Sequence, residues 1–215
     1  MASQEHLDIY DDNMTHLGTA LRYEVHEKGH WHQTFQCWLI RRNDDGEYVL
    51  FQRRGPDKEL FPDKFDITAA GHLIAGEAPV DGIRELNEEL GLSTRVEDLV
   101  FLGIRCDVMI VGSVTNREFC HTYLLESNIP LDAYKLEAGE VTGLVQMEIG
   151  DGLRLFADDV ETVPVSGYRV DANGAKHEIG MEVSKQDIAG RLDRYHLKVF
   201  IMAERYFQAN TYLAI

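Results

Sequence analysis

Basic residues are scarce: 21 Lys and Arg stand against 37 Asp and Glu, a formal charge of −16 over 215 residues. Such a surface repels phosphodiester backbones and anionic lipid, which excludes a nucleic-acid polymer or a membrane as the main partner. It suits an enzyme whose anionic substrate is bridged by a cation, and it equally suits an acidic surface that only aids solubility. Long apolar runs are missing, and none approaches the roughly 20 residues of a membrane span. The opening residues, MASQEHLDIYDDN, are polar and acidic and do not resemble a secretory leader. Cysteine is rare. Cys37, Cys106 and Cys120 are odd in number and show no C-x-x-C spacing. That pattern speaks against a disulfide framework or a cysteine zinc site and predicts reduced thiols in a cytoplasmic protein. Internal repeats and low-complexity linkers are absent. What is present, a 44% apolar share, is enough for a real core.

The remaining pattern alternates strands with a few helices. Strand-like segments are His6–Tyr10, Thr34–Ile40, Tyr48–Arg53, Phe65–Ala70, Leu99–Cys106, Glu118–Leu125 and Val141–Ile149. Asn43-Asp44-Asp45-Gly46 reads as a hairpin turn. Gly150–Phe156 reads as a short helix, and Val163–Val170 with Lys176–Val183 as a second hairpin. Ser184-Lys185-Gln186-Asp187 resembles a capping box. It predicts a long helix to about Gln208 that buries Ile188, Leu192, Leu197, Ile201 and Phe207. The fold class expected is an α/β sandwich around one mixed sheet, with an extra hairpin and a long C-terminal helix. The expected organisation is an N-terminal extension over 1–29, a catalytic domain over 30–160, and a closing segment over 161–215. That last segment belongs to the same domain or builds a homodimer.

The chemistry concentrates in GHLIAGEAPVDGIRELNEELGL, from Gly71 to Leu92. Glu85, Glu88 and Glu89 stand at i, i+3 and i+4 and share one helical face. Glu88 and Glu89 fall in the last turn before Gly91, where the helix dipole disfavours negative charge. A divalent cation bridging them to a phosphate would offset that cost. Pro79 suits the first turn and Gly91 the left-handed position past the helix end.

On these residues the chain resembles the Nudix hydrolase family. Gly71, Glu77, Arg84, Glu85, Leu86, Glu88, Glu89, Gly91 and Leu92 fill the places of its motif. One departure is that six residues, Ala78 to Ile83, rather than seven separate Glu77 from Arg84. A narrower similarity, to isopentenyl-diphosphate isomerase, rests on Trp31 to Leu39, the Arg53-Arg54 pair and Thr68 to His72. His32, His72 and Glu118 match that enzyme's metal-ligand and glutamate positions, but Ala70 stands where it carries a catalytic cysteine. An alanine supplies no thiol acid.

The resemblance implies hydrolysis of a small-molecule diphosphate linked to a group X, with Mg²⁺ as cofactor and Mn²⁺ as a substitute. Glu85 and Glu89 are the first choice of metal ligands, with Glu88 completing the site or polarising water and the Gly71 carbonyl as a further ligand. Arg84 is expected to brace these carboxylates. Glu118 is the leading general base outside the motif, with Glu137 and Glu140 behind it. Arg53, His32 and His72 are expected at the substrate. Strand alternation sends Arg53 and Arg54 to opposite faces, so one of them reaches phosphate. His32 is as well explained by a structural role, and Trp31, Trp38 and Phe61 fit an aromatic slot or the core. An isomerase and a non-catalytic nucleotide-binding module are the alternatives.

Overall fold

A computed structural model describes residues 5–58, 60–111, 114–191 and 193–215. The chain opens with β1 (His6–Tyr10), β2 (His16–Leu21) and α1 (Arg22–Lys28). Then come β3 (Trp31–Asn43), β4 (Gly46–Arg54), β5 (Phe65–Ile67), β6 (Ala69–His72) and α2 (Arg84–Leu90). β7 (Val100–Val111), β8 (Val114–Glu126), β9 (Val141–Glu148) and α3 (Ile149–Phe156) follow. The chain closes with β10 (Val163–Val170), β11 (Lys176–Val183) and α4 (Tyr195–Phe207). Among the described residues, eleven strands join one mixed sheet. This is the expected α/β sandwich with its extra hairpin: β10 pairs with both β9 and β11.

β3 organises the sheet. It pairs with β4 and β6 antiparallel and with β8 parallel. Both its faces are covered, which is why its sequence runs apolar instead of alternating. Phe35, Cys37 and Leu39 pack in one cluster with Leu86 and Leu90 of α2. Trp38 and Ile40 pack in the other with Val199 and Phe200 of α4. Trp38 donates from Nε1 to the Tyr195 hydroxyl at 2.9 Å, and that hydroxyl donates to Gln36 Oε1 at 2.7 Å. A buried polar chain thereby ties the C-terminal helix to the central strand. Helix α3 crosses α4 closely, because a Cβ on Gly152 would lie 1.9 Å from Phe200 Cε1.

Three expectations are corrected. The capping box at Ser184 forms, yet it opens only a single 3₁₀ turn over Lys185–Asp187. Ala189 N–H then donates to the Phe65 carbonyl at 2.8 Å, which pulls the chain extended against β5. The helix begins at Tyr195, after Arg194 takes a left-handed φ of 57°. Ile188 is buried off the helix, and Leu192 lies outside the described residues. Phe65–Ala70 is not one strand. Thr68 separates β5 from β6 and donates its hydroxyl to the Leu50 carbonyl. Pro79 starts a 3₁₀ segment, Pro79–Ile83, that leads into the α-helix at Arg84. The helix α1 had no counterpart in the sequence reading. Its one legible signal was Gly29, which caps it at φ 64°.

Candidate active site

The carboxylate helix ends as its sequence suggests. Gly91 adopts φ 64°, and its N–H donates to the Asn87 carbonyl at 2.9 Å. Leu86 and Leu90 anchor the apolar side, so the acidic side is left at a cavity of about 590 Å³. Glu85, Glu88 and Glu89 all line it. Arg84 ties the loop and the helix together. Its Nε donates to Glu77 Oε1 at 2.8 Å, Nη1 to Glu85 Oε1 at 2.6 Å and to Glu88 Oε2 at 3.0 Å, and Nη2 to the His72 carbonyl at 2.8 Å. The shorter spacing therefore still brings Glu77 onto Arg84. A Cβ on Gly71 would lie 2.1 Å from Glu85 Oε1, so only glycine allows this strand-to-helix approach.

Glu89 is the deepest of the three acids. Its Oε2 accepts from Gln52 Nε2 at 3.2 Å and from Ala70 N–H at 3.1 Å. Burial first, and then the nearby Glu85, pushes its carboxyl up to about 8. Burial also raises Glu85, with Arg84 opposing. Two adjacent carboxylates held against their own charge are a donor set for a hard dication. Glu88 is more than half exposed and meets Arg84 alone among these groups. Arg22, Arg54 and Lys58 line the same cavity. Arg54, and not Arg53, lines it: Arg53 pairs with Asp63 at 3.3 Å. The sequence reading had expected Arg53 at the substrate, and the pairing of β4 with β5 and β9 gives that place to Arg54 instead.

A second cluster lies beside the first. In parallel register His32 stands across from Glu118, and in antiparallel register Thr34 stands across from His72. α1 brings in His26. The ligand atoms of His26, His32 and His72 fall within 4.8 Å of one another. Each of the three Nε2 atoms is buried with no hydrogen-bond partner. His32 Nδ1 faces the His30 carbonyl at 3.1 Å, which places its proton there and turns the Nε2 lone pair inward. Burial lowers all three imidazoles, His26 to about 4, so they are neutral. Three neutral, orphaned imidazole nitrogens converging on one point fit a borderline transition metal better than Mg²⁺. His26 was missed in the sequence because its partners come from two distant strands.

Glu118 lines the cavity next to this cluster. It accepts from Asn116 Nδ2 at 2.7 Å and lies 4.0 Å from His32 Nε2. Asp107, Glu118 and Cys120 also approach one another, but Arg105 lies 2.7 Å from Asp107 and neutralises it. Glu137 and Glu140 line the same cavity. Of the aromatics, Trp31 stacks on Phe119 at 4.5 Å, Trp38 is core, and Phe61 lines the cavity.

The NUDIX domain family matches residues 31–148. An uncharacterized Nudix hydrolase of Clostridium acetobutylicum is 37% identical over 184 residues, covering 86% of this chain and 89% of that protein. An isopentenyl-diphosphate Delta-isomerase of Aliivibrio fischeri is 29% identical over 143 residues, covering 65% and 78%. A crystal structure from Deinococcus radiodurans aligns with TM-score 0.52 at 22% identity, over 72% of this chain and 90% of that one. A MutT/nudix family protein from Enterococcus faecalis aligns at 0.51 and 14%, over 82% and 62%. With its domain matched over more than half the chain and a relative 37% identical over most of both chains, this protein belongs to the Nudix hydrolase family.

Proposed function

We propose that the protein is a Mg²⁺-dependent diphosphohydrolase that splits the P–O–P bond of a small-molecule diphosphate carrying a group X. The observation that carries this reading is that the carboxylates of Glu85 and Glu89 and the cations of Arg22, Arg54 and Lys58 line one cavity. Glu85, Glu89 and the Gly71 carbonyl would hold the metal, with Mn²⁺ as a substitute. The bound ion would neutralise phosphate charge and lower the pKa of a water. Arg84 positions Glu85 and Glu88. Arg54 and Lys58 orient the phosphate oxygens. Glu118 takes the proton from the attacking water, and Asn116 holds its carboxylate in place.

The histidine trio supports a second, nitrogen-donor metal site at the edge of the same cavity, which His26 and His72 line and behind which His32 is buried. His32 and His72 fall on the positions that carry the resemblance to the isomerase, yet isomerisation has less support here. No cysteine lines the cavity among the described residues, and Ala70 occupies the place where a thiol acid would be needed.

Phosphate release with Mg²⁺ over a panel of nucleotide, sugar-nucleotide and prenyl diphosphates tests the proposal, with Glu89→Gln as control. Turnover that requires Glu89 is expected. Conversion of isopentenyl diphosphate to dimethylallyl diphosphate would instead establish the isomerase.

A further inference from the structure

Arg54 offers the cavity only part of its guanidinium. Nε donates to the Leu60 carbonyl at 2.9 Å and Nη1 to Asp66 Oδ2 at 3.0 Å, while the side chain stays 21% exposed and lines the cavity. A carboxylate in contact with a phosphate-binding cation is a liability, because it cancels the charge that the phosphate needs. Asp66 is buried, so salt and water screen it little.

A second guanidinium answers that carboxylate. Arg191 Nη2 donates to Asp66 Oδ1 at 3.1 Å. Arg191 lies beyond the matched domain, on the segment between β11 and α4. This segment is laid along β5, the strand that carries Asp66. Ile188 bridges Phe65 in parallel, and Ala189 N–H donates to the Phe65 carbonyl at 2.8 Å. On its other side Arg191 Nε lies 3.4 Å from Asp107 Oδ2, and Arg105 Nη2 lies 2.7 Å from Asp107 Oδ1. Arg105 continues to Asp193, which is a third exposed and also meets Lys198. The row Arg54, Asp66, Arg191, Asp107 and Arg105 alternates in sign, with every side chain but that of Arg54 buried. It holds three cations against two anions, so one positive charge is left over. Without Arg191 the row would be balanced, and Asp66 would be answered by Arg54 alone.

We propose that Arg191 is a positioning residue for phosphate binding: by holding one oxygen of Asp66 it fixes that carboxylate and keeps the Arg54 guanidinium in place with its charge free for a phosphate oxygen. This rests on the diphosphohydrolase reading, in which Arg54 binds phosphate. It makes the segment before α4 part of the phosphate site, although that segment lies outside the matched domain.

Calorimetric titration of the full chain with methylene diphosphonate and Mg²⁺ tests the role, since this probe has the diphosphate charge and no P–O–P bond to cleave. Arg54→Met should weaken binding about tenfold or more. Arg191→Gln should weaken it about fivefold, and adding Arg191→Gln to Arg54→Met should cost nothing further. The decisive variant adds Asp66→Asn to Arg191→Gln. Asparagine keeps an acceptor for Arg54 and removes the charge that cancels it, so affinity should return to within about threefold of the wild type. A merely structural role predicts a further loss instead. The double variant carries no unanswered carboxylate at position 66, so it decides even if Arg191→Gln alone does not fold. On a diphosphate that the wild type hydrolyses, Arg191→Gln should raise KM and leave kcat within about threefold. Unchanged affinity in Arg191→Gln, losses that add to those of Arg54→Met, no recovery with Asp66→Asn, or no binding by the wild type would overturn the proposal. The expected binding pattern without turnover of any diphosphate keeps the positioning role and removes the hydrolase reading. Turnover with Arg191→Gln indistinguishable from the wild type keeps that reading and removes the positioning role.

Discussion

The acidic wall and the histidine wall of the cavity are held in opposite ways. Glu85 and Glu88 are clamped by one guanidinium, and every oxygen of Glu77 is also used by Arg84. The histidine wall has no clamp: His32 stacks on His72, His26 meets both rings at steep angles, the centroids lie 5.1 to 5.2 Å apart, and all three Nε2 atoms are left bare. One wall stores negative charge under burial, and the other stores lone pairs under burial. The comparison teaches that a single cavity presents both hard oxygen and borderline nitrogen donors. The two walls should therefore answer to different metals, different pH ranges and different substitutions.

Removing charge from the acidic wall separates them most strongly. Glu89→Gln should lower Mg²⁺-dependent turnover by roughly 100-fold or more in steady-state assays. The same substitution should raise the stability of the metal-free protein by about 1–3 kcal/mol in denaturant titrations, because an uncompensated buried carboxylate is removed. The sign follows from the raised carboxyl, which is near 8 folded and near 4.5 unfolded. Its contribution is complete below pH 4.5 and is lost as pH climbs through 8. Added Mg²⁺ should restore stability at pH 8 and do little at pH 5. A variant that melts lower than the wild type at pH 8 without metal would remove Glu89 from the strained pair.

Gly71→Ala probes the approach between the walls. Its Cβ would lie 2.1 Å from Glu85 Oε1 and must displace that carboxylate. Turnover should fall about 10- to 100-fold while far-ultraviolet dichroism stays unchanged. A displaced ligand with unaltered kinetics would show that Glu85 does not act at the metal.

On the histidine wall, His26→Asn should weaken Zn²⁺ or Co²⁺ binding by about 10- to 100-fold and leave Mg²⁺ binding alone. Competition with a chelating dye reads both. Loss of Mg²⁺ affinity with Zn²⁺ affinity intact would merge the two walls into one site.

A last expected effect is an acid weakening of the metal-free fold. His26 is held near 4 and His196 near 3, with burial the main cause in each, against 6.5 unfolded. Below pH 6.5 the unfolded chain binds protons that the folded chain refuses, so stability declines from 6.5 down to about 3. His196 stacks on Phe156 at 4.8 Å with a bare Nε2, and His196→Phe should flatten part of that decline. Denaturant midpoints at pH 7, 5.5 and 4.5 measure it.

Legibility in the sequence follows the range of the interaction. The carboxylate face, the Gly91 cap and the hairpin turn at Asn43–Gly46 were readable because each is decided within a few residues by helix period or turn chemistry. The capping box at Ser184 was equally readable and still misled. It satisfies one 3₁₀ turn, after which contacts with β5 outbid helix propagation. Arg53 against Arg54 could not be decided from alternation alone, since two neighbouring positions differ only by the face that the sheet register assigns. The same holds for the trio. Its members are 6 and 40 residues apart along the chain (His26 to His32, His32 to His72), and only the pairing of β3 with β6 and the docking of α1 bring their nitrogens together.

The sequence by itself determined the family, the acidic helix and the absence of a cavity thiol at position 70, since all three are written in one contiguous motif of local chemistry. Tertiary structure alone decided which arginine reaches the cavity, that His26 joins His32 and His72, and that Arg191 enters from beyond the matched domain. Those outcomes depend on register and on the packing of distant segments. Sheet pairing sets them over many residues at once, and no single stretch of chain encodes them.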